Sequence, residues 1–396
     1  MKIAVIGAKG ISAKFGGIER YCQELYPQIA ERGNQVDLYV GSNHYHSVWF
    51  SIFTYQRMNV ITLPSIPAKG LSLINVALAT VCASFGKYDV IHFHGIAAAW
   101  FAWFAQLFSG SSIVVTCHQL ESPQVLSNRV SRRLLPWLEK MAIECVDETI
   151  VTSQELANYF WRKYRICTQY IANAPTKERA DSDRSQIQSL HSFNYRQAFG
   201  LDRSRYVLYL GTFEPDRRLD LLIKVFKKLQ IPNWKLVLAG EIGDSFEYTT
   251  ELLDLARQQK NIIFTGEISD NFVADLIRGA DVFVDPSTGN NLNSSIAILE
   301  AMRSAIPIVA SDTATHRQLI GRDRGLLFKS GQFDSLLMQL EYAMSRPNLL
   351  LVMAKKAQTY IAVNHNWDKV IYKNLFIYLQ LTTETRTPPS RQTFNR

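Results

Sequence analysis

The sequence predicts an α/β protein made of two Rossmann-like domains, each a doubly wound parallel sheet. Three observations lead there. The chain has 396 residues, more than a single hydrophobic core accommodates. Short apolar, β-branched runs alternate with helical periodicity through both halves, the pattern that parallel sheets with crossover helices produce. One charged, serine-rich stretch without periodicity, residues 176–204, interrupts the alternation and is expected to hold the linker.

The first domain is expected over residues 1–175. It opens with the strand KIAVIG, continues with a helix from about Ile18 to Arg32, and returns in the strand QVDLYV. NVITL, DVIHFH, SIVVTCH, ETIVTS and TQYIA extend the set. Such runs are apolar at nearly every position, as strands covered on both faces must be. A short helix is expected near His191–Phe199, inside the linker. The second domain, 205–363, carries RYVLYLG, WKLVLAG, NIIFTG, VFVDPS, PIVAS and GLLF, with helices near Phe333–Ser345 and Asn348–Val363. NWDKVIYKNLFIYLQL reads as a last helix over 366–381, and the polar residues 382–396 read as a disordered tail.

Composition narrows the function. With 47% hydrophobic and 20% charged residues the chain is an ordinary globular one. Five cysteines without a CxxC spacing argue for reduced thiols in a cytoplasmic setting, and against a zinc ribbon or a disulfide frame. The chain begins directly on a strand, so no secretory signal is expected. The most apolar segment, Gly95–Phe108, has about 14 residues where a bilayer crossing needs roughly 18 to 20. It reads as a buried helix, or else as an aromatic wedge that enters a membrane through Trp100, Phe101, Trp103 and Phe104. A formal net charge of +8 favours anionic partners, either phosphates or lipid head groups. Nucleic acid is not an expected partner, since no zinc-finger, homeodomain or RNP pattern occurs and the basic residues are not gathered with stacking aromatics. The segment from Asn128 to Glu144 sets Arg129, Arg132 and Arg133 at helical spacing beside Val130, Leu134, Trp137, Leu138 and Met141. That pattern predicts peripheral attachment to an anionic membrane surface, a plain surface helix being the alternative.

Several segments place polar residues at the C-terminal ends of strands, where open α/β sheets bind ligands. DVFVDPSTGNNLNSSIAILEAM ends a strand at Pro286, passes through a loop containing Asn293 and Ser294, and enters a helix that carries Glu300. Free N–H groups at a helix start suit phosphate oxygens or sugar hydroxyls. GAKGISAKFGGIERY lacks GxGxxG spacing, which disfavours an NAD oxidoreductase. Its pair Gly16-Gly17 lets backbone amides approach a ligand, unless it is only a tight turn. His118 follows SIVVTC, and His92 and His94 share one face of their strand. A metal reading of that pair lacks a third ligand. In YLGTFEPDRRLD, Arg217 and Arg218 can grip a phosphate bidentately or bind a nearby acid.

Together these segments resemble the retaining family 4 glycosyltransferases of the GT-B fold. PS…LEAM is similar to that family's nucleotide-sugar loop, GGIERYCQELYPQIAERGNQV to its glycine loop and first helix, and TCHQLE to its histidine-bearing loop. Trp367 followed by Asp368 looks like the start of its crossover helix, and the resemblance covers nearly the whole chain. It implies transfer of a sugar from a nucleotide-sugar donor to a saccharide or lipid-linked acceptor in an interdomain cleft, with retention of configuration. It also implies no metal and no cofactor beyond the donor substrate. Carried over by residue, it puts Gly16, Gly17, Arg217 and Arg218 on the donor phosphates, Glu300 on the ribose, and Asn293 and Ser294 near the sugar. His118 is implied as the catalytic residue beside the transferred sugar, with His94 and Glu121 on the acceptor side. The chain departs from the family at Thr212, where arginine is usual, and at Leu292, where the first glutamate stands. Gln119 and Glu121 replace a common glycine and aspartate. Two lost charged contacts at about 2 to 3 kcal/mol each open an alternative, a weak or inactive GT-B protein that binds a nucleotide sugar or a partner.

Overall fold

The protein is represented by a computed structural model that describes residues 1–11, 17–42, 50–64, 72–119, 129–176, 195–202, 204–240, 245–268, 270–288 and 296–384. It divides into two compact units, one formed by Met1–Asn173 with the chain from Trp367 onward, the other by Ala174–Asn366.

The first unit contains β1 (Lys2–Ile6), β2 (Gln35–Gly41), β3 (Ser51–Tyr55), β4 (Met58–Leu63), β5 (Val90–His94), β6 (Ser112–Cys117), β7 (Glu148–Val151) and β8 (Gln169–Tyr170). They form one sheet in the order β3-β4-β2-β1-β5-β6-β7-β8. Winding starts at β1 and proceeds outward in both directions, because β2 pairs on one side and β5 on the other. Ile3, Ala4, Val5, Val90, Ile91 and Phe93 are fully buried, so the apolar runs are strands covered on both faces.

The expectation of a wholly parallel sheet is corrected at one edge. β3 runs antiparallel to β4, joined by Gln56 and Arg57 at φ 43° and 67°. Left-handed backbone at two successive turn residues normally calls for Asn-Gly. Gln-Arg gives no such signal, so the sequence reading contains no hairpin here.

Two further expectations are corrected. Gly95–Phe108 is not a single helix but a 3-10 turn at Ala98–Phe101 leading into Ala102–Phe108. Ala98, Ala99, Ala102 and Ala105 face the interior, while Trp103 and Leu107 are 40% and 69% exposed. The small residues allow close packing on the sheet; of the four aromatics expected to form a wedge, Trp100 is buried, Phe101 and Phe104 are half-buried, and Trp103 is exposed. The last helix spans Trp367–Glu384 rather than 366–381, so residues 382–384 are helical, and 385–396 lie outside the described residues. Its final turn is extended by Thr382 and Thr383, whose hydroxyls donate back to the carbonyls of Tyr378 and Leu379. This helix packs on the helix Gly17–Glu31 within the first unit.

The second unit contains β9 (Arg205–Leu210), β10 (Trp234–Ala239), β11 (Ile262–Gly266), β12 (Val282–Asp285), β13 (Ile308–Ser311) and β14 (Leu326–Phe328), all parallel, in the order β11-β10-β9-β12-β13-β14. β9 shows why both faces are covered. Val207 and Tyr209 join a core with Leu222, Val225, Leu336 and Leu340, while Tyr206 and Leu208 join another with Ile298, Leu299, Met302 and Leu319. Alternation along one strand thus feeds two cores, and each fully buried leucine or isoleucine contributes about 1.5 to 3 kcal/mol. The unit starts at Ala174, inside the stretch bordering the predicted linker, because the Thr176 amide donates to Glu300. Residues 177–194 lie outside the described residues, and the short helix observed there is Tyr195–Ala198.

Candidate active site

In the first unit the winding direction reverses between β1 and β5, and the chain leaves both strands at that point. Gly7 ends β1 at φ 115°, and a Cβ there would stand 2.3 Å from the His94 carbonyl oxygen. Only glycine lets the loop pass so close to β5. Two residues on, the Lys9 amide donates to Glu19 Oε1 at 2.8 Å. Glu19 is buried in the first turn of the helix Gly17–Glu31, and burial raises its carboxyl above the usual range. The loop is therefore tied down at both ends. Gly17 is the exposed first residue of that helix; Gly16 lies outside the described residues.

His92, His94 and His118 form one buried cluster. His92 and His94 occupy alternate positions of β5 and point to the same face, and His118 follows β6 directly. His94 Nδ1 lies 3.0 Å from His118 Nε2, and His94 Nε2 lies 2.6 Å from the Tyr26 hydroxyl. His92 Nδ1 is 2.5 Å from the Tyr378 hydroxyl and 3.0 Å from that of Tyr26, while its Nε2 is 2.7 Å from Thr116 Oγ1. Tyr21 sets its ring edge on His118 at 4.8 Å and also meets Trp367. Burial holds the imidazoles neutral: His92 and His118 are pushed down to about 3, and His94 well below its ordinary value. A neutral, hydrogen-bonded chain is what the interior permits. Among the described residues no group of three His, Cys, Asp or Glu side chains is placed to hold a metal ion. Glu121 lies outside the described residues.

The second unit reverses its winding between β9 and β12, and the loops after these strands meet. The Thr288 amide donates to the Asp216 carbonyl at 2.9 Å. Arg217 and Arg218, both in the loop after β9, differ in their surroundings. Arg218 donates to Asp220 from Nε at 3.1 Å and from Nη2 at 3.5 Å, so its charge is largely matched. Arg217 is mostly buried, and its Nε meets no hydrogen-bond partner. Burial alone would lower its affinity for a proton, but Tyr209 and Asp285 nearby raise it. Arg217 therefore stays charged in the loop after β9, with its Nε unmatched.

Beneath it, Asp285 at the end of β12 faces His316 Nε2 at 3.4 Å, with both side chains buried. Asp285 also accepts from the Ser287 amide and hydroxyl at 3.1 and 2.7 Å. Ser311 ties the same turn to β13 by donating to the Ser287 carbonyl. Glu300, in the helix Ile296–Arg303, is buried. Its Oε1 accepts from Thr176 N at 2.6 Å, and its Oε2 from Arg303 Nε and Nη2 at 3.2 and 2.7 Å. Asn293 and Ser294 lie outside the described residues.

The model for "Glycosyltransferase Family 4" matches residues 15–174, and that for "Glycosyl transferases group 1" matches residues 192–360. The chain belongs to the family 4 glycosyltransferases. This glycosyltransferase is 21% identical to an uncharacterized glycosyltransferase of Methanocaldococcus jannaschii over 96% of this chain and 98% of that one. It is 26% identical to a phosphatidyl-myo-inositol mannosyltransferase of Mycolicibacterium smegmatis over 63% of this chain and 61% of that protein. Among solved structures it is similar to sucrose-phosphate synthase from Thermosynechococcus elongatus, with TM-score 0.76 and 21% identity over 97% and 99% of the two chains. Anabaena HepE in complex with UDP is similar at TM-score 0.73 and 17% identity over 96% and 99%. The fold of the glycosyltransferase is GT-B, with two parallel-sheet α/β domains and a final helix that returns to the first.

Sequence reasoning named His118, His94, Arg217, Arg218 and Glu300; the structure puts His94 at the end of β5, His118 directly after β6, Arg217 and Arg218 in the loop after β9, and Glu300 within the helix Ile296–Arg303. It missed Tyr26, Tyr378 and the Asp285–His316 pair. Asp285 had a signal, being a charged residue closing the otherwise apolar strand VFVD. Tyr26 and Tyr378 had none, since helical tyrosines read as core.

Proposed function

We propose that this glycosyltransferase moves a hexosyl or deoxyhexosyl group from a nucleotide sugar to a saccharide or lipid-linked acceptor, with retention of configuration and without metal, in polysaccharide or glycoconjugate synthesis. Arg217 carries the reading: a mostly buried cation whose charge the carboxylates around it do not cancel through its Nε, at the point where the loops after β9 and β12 meet. The bond between the anomeric carbon and the diphosphate breaks as the acceptor oxygen bonds from the same face, and the acceptor proton leaves with the diphosphate. Arg217 stabilises the charge that develops on that leaving group. Glu300 accepts a ribose hydroxyl through the one lone pair on Oε1 that Thr176 leaves free, since each carboxylate oxygen has two and Arg303 takes both on Oε2. The Gly16-Gly17 loop and Arg218 add donors to the phosphates, and Asn293 and Ser294 meet the sugar. His118 lies beside the transferred sugar, with His94 and Glu121 toward the acceptor. The relatives named for mannosyl transfer, and the neighbours crystallised with UDP, support a nucleotide-sugar donor.

A lipid-linked acceptor is favoured by the uncovered apolar residues of three neighbouring helices in the first unit, Ser72–Ser84, Ala102–Phe108 and Arg129–Glu144. Leu78, Trp103, Leu107, Leu134 and Trp137 are all exposed there. Among the described residues no helix is long and apolar enough to cross a membrane, so attachment would be peripheral, on a cytoplasmic face.

The test is a thermal-shift panel of nucleotide sugars, followed by release of the nucleoside diphosphate when saccharide and lipid-linked acceptors are added. One donor should raise Tm, and one acceptor should then trigger release. Stabilisation without release for any acceptor would instead support a GT-B protein that only binds, consistent with the departures at Thr212 and Leu292.

A further inference from the structure

The histidine cluster of the first unit has a directional hydrogen-bond order that follows from counting protons. His94 Nδ1 and His118 Nε2, 3.0 Å apart, share one proton if both rings are neutral. The two rings are therefore locked together: both carry the proton on Nδ1, or both on Nε2. The choice is made one contact further in. Tyr26 Oη is 2.6 Å from His94 Nε2 and 3.0 Å from His92 Nδ1, and Tyr378 Oη is 2.5 Å from that same His92 Nδ1. Burial pushes both phenols upward, so both keep their protons. The two hydroxyls also interact with each other, but a neutral imidazole nitrogen is a stronger acceptor than a phenol oxygen, so two hydroxyl protons face two ring-nitrogen lone pairs. Each goes to its shorter contact, Tyr378 to His92 and Tyr26 to His94. His92 then carries its own proton on Nε2, where Thr116 Oγ1 accepts it at 2.7 Å.

We propose that Tyr26, acting through His94, is a positioning residue that fixes His118 in the Nδ1–H form, so that His118 presents a neutral N–H donor rather than a base. His118 is 7% exposed, and among the described residues its Nδ1 has no hydrogen-bond partner. The free end of the chain is therefore a donor that meets an oxygen of the bound substrate, either a sugar hydroxyl or a phosphate oxygen. The last helix belongs to the same device. Tyr378 occupies the His92 lone pair that would otherwise draw the Tyr26 proton away. Tyr21, itself packed against Trp367, sets its ring edge on His118 from the side. Residues distant in sequence thereby set the chemical character of the strand-end histidine.

This rests on reading His118 as the residue beside the transferred sugar, but its test does not use transfer. Full-length protein labelled with 15N-histidine is studied by long-range proton–nitrogen correlation, which reports the protonated nitrogen of each ring, with His94 and His118 assigned through His94→Gln and His118→Gln. Both are expected as Nδ1–H rings that stay neutral down to pH 5. Tyr26→Phe should convert His118 to a tautomer mixture or to the Nε2–H form. Tyr88→Phe, which removes a similarly buried hydroxyl bonded to Asp37, should leave it unchanged. An Nε2–H His118 in the parent protein would overturn the proposal, as would unaltered His118 nitrogens in a folded Tyr26→Phe. If the ring is Nδ1–H and no donor or acceptor reacts, the functional reading fails while the proton order stands.

Discussion

His316 and Asp285 form a buried ion pair, in which the imidazole donates from both nitrogens to groups that can only accept. Nδ1 is 2.8 Å from the Ser311 carbonyl and Nε2 is 3.4 Å from Asp285 Oδ2. Only the imidazolium satisfies both contacts.

That pair predicts how stability depends on pH. Burial alone would lower the His316 pKa, but Asp285 beside it raises it above the ordinary value. Burial would likewise raise Asp285, yet His316, with Arg217 and Ser287, holds it well below the carboxylate range. A raised histidine contributes stability that is complete below about pH 6.5 and is lost as pH climbs through the folded value. A depressed aspartate contributes stability that is complete above about pH 4 and is lost only in stronger acid. The pair therefore helps most between about pH 4 and 6.5. The parent Tm should fall from pH 6 to pH 9, and His316→Gln should flatten that slope while destabilising by about 3 kcal/mol at pH 6. An unchanged slope in the variant would remove His316 as its cause.

Arg217 and Arg218 should behave differently despite being neighbours. Arg217→Gln removes the guanidinium whose Nε meets no partner and should weaken binding of nucleoside diphosphates by about 1.5 to 3 kcal/mol, and it should also lower Tm, because that charge helps keep the buried Asp285 ionised. Arg218→Gln breaks a partly exposed pair with Asp220 and should alter affinity by less than about 1 kcal/mol. Calorimetry with UDP, GDP and ADP distinguishes the two. The opposite ranking would move the phosphate site to Arg218.

Glu300 combines a structural and a ligand role. Glu300→Gln should cost about 1 to 3 kcal/mol of stability, because the Arg303 fork loses its charged acceptor. Arg303→Gln breaks the same pair but keeps the carboxylate. If Glu300 binds ribose, only Glu300→Gln weakens nucleoside diphosphate affinity. Equal affinity in both variants would leave it a packing residue.

The apolar strands made the architecture readable, because runs such as KIAVIG and RYVLYLG alternate with helical periodicity and are buried on both faces, as strands of a covered parallel sheet are. The places of His118 and Arg217 were readable for a related reason: each follows an apolar strand, β6 and β9, whose end the sequence marks. What stayed hidden depends on tertiary partners. Tyr378 meets His92 across 286 positions of sequence, and no periodicity encodes that. The β3–β4 hairpin turns on Gln56 and Arg57, residues that carry no turn signature. Glu300–Arg303 is the intermediate case, an i,i+3 pair visible in ILEAMR once the helix is placed.

Gly7 should tolerate no side chain. In Gly7→Ala the new Cβ would meet the His94 carbonyl oxygen at 2.3 Å, on backbone at φ 115°, so neither strain nor clash can relax cheaply. A loss of about 2 to 4 kcal/mol is expected in urea unfolding. A loss under about 0.5 kcal/mol would mean that β1 and β5 can separate at this point without penalty.

The exposed residues of the first unit predict lipid binding. Trp137 is 60% exposed and Leu134 49%, three positions earlier in the same helix, so they share a face. The side chains of Arg129, Arg132 and Arg133 lie outside the described residues, but the chain as a whole carries a net charge of +8. Tryptophan favours the interface between acyl chains and head groups, and each nearby cation adds about 1 kcal/mol on anionic lipid. The protein should sediment with vesicles containing phosphatidylglycerol, less so with phosphatidylcholine alone, and progressively less as salt rises. Replacing Leu134, Trp137, Trp103 and Leu107 by serine should abolish sedimentation. Trp137 and Leu107 are mostly in water already, so stability should change by no more than about 0.5 kcal/mol at either site, whereas the less exposed Trp103 and Leu134 should each cost about 1 kcal/mol. If the parent protein stays in the supernatant with anionic vesicles at low salt, these residues do not make a lipid surface and a small saccharide becomes the favoured acceptor.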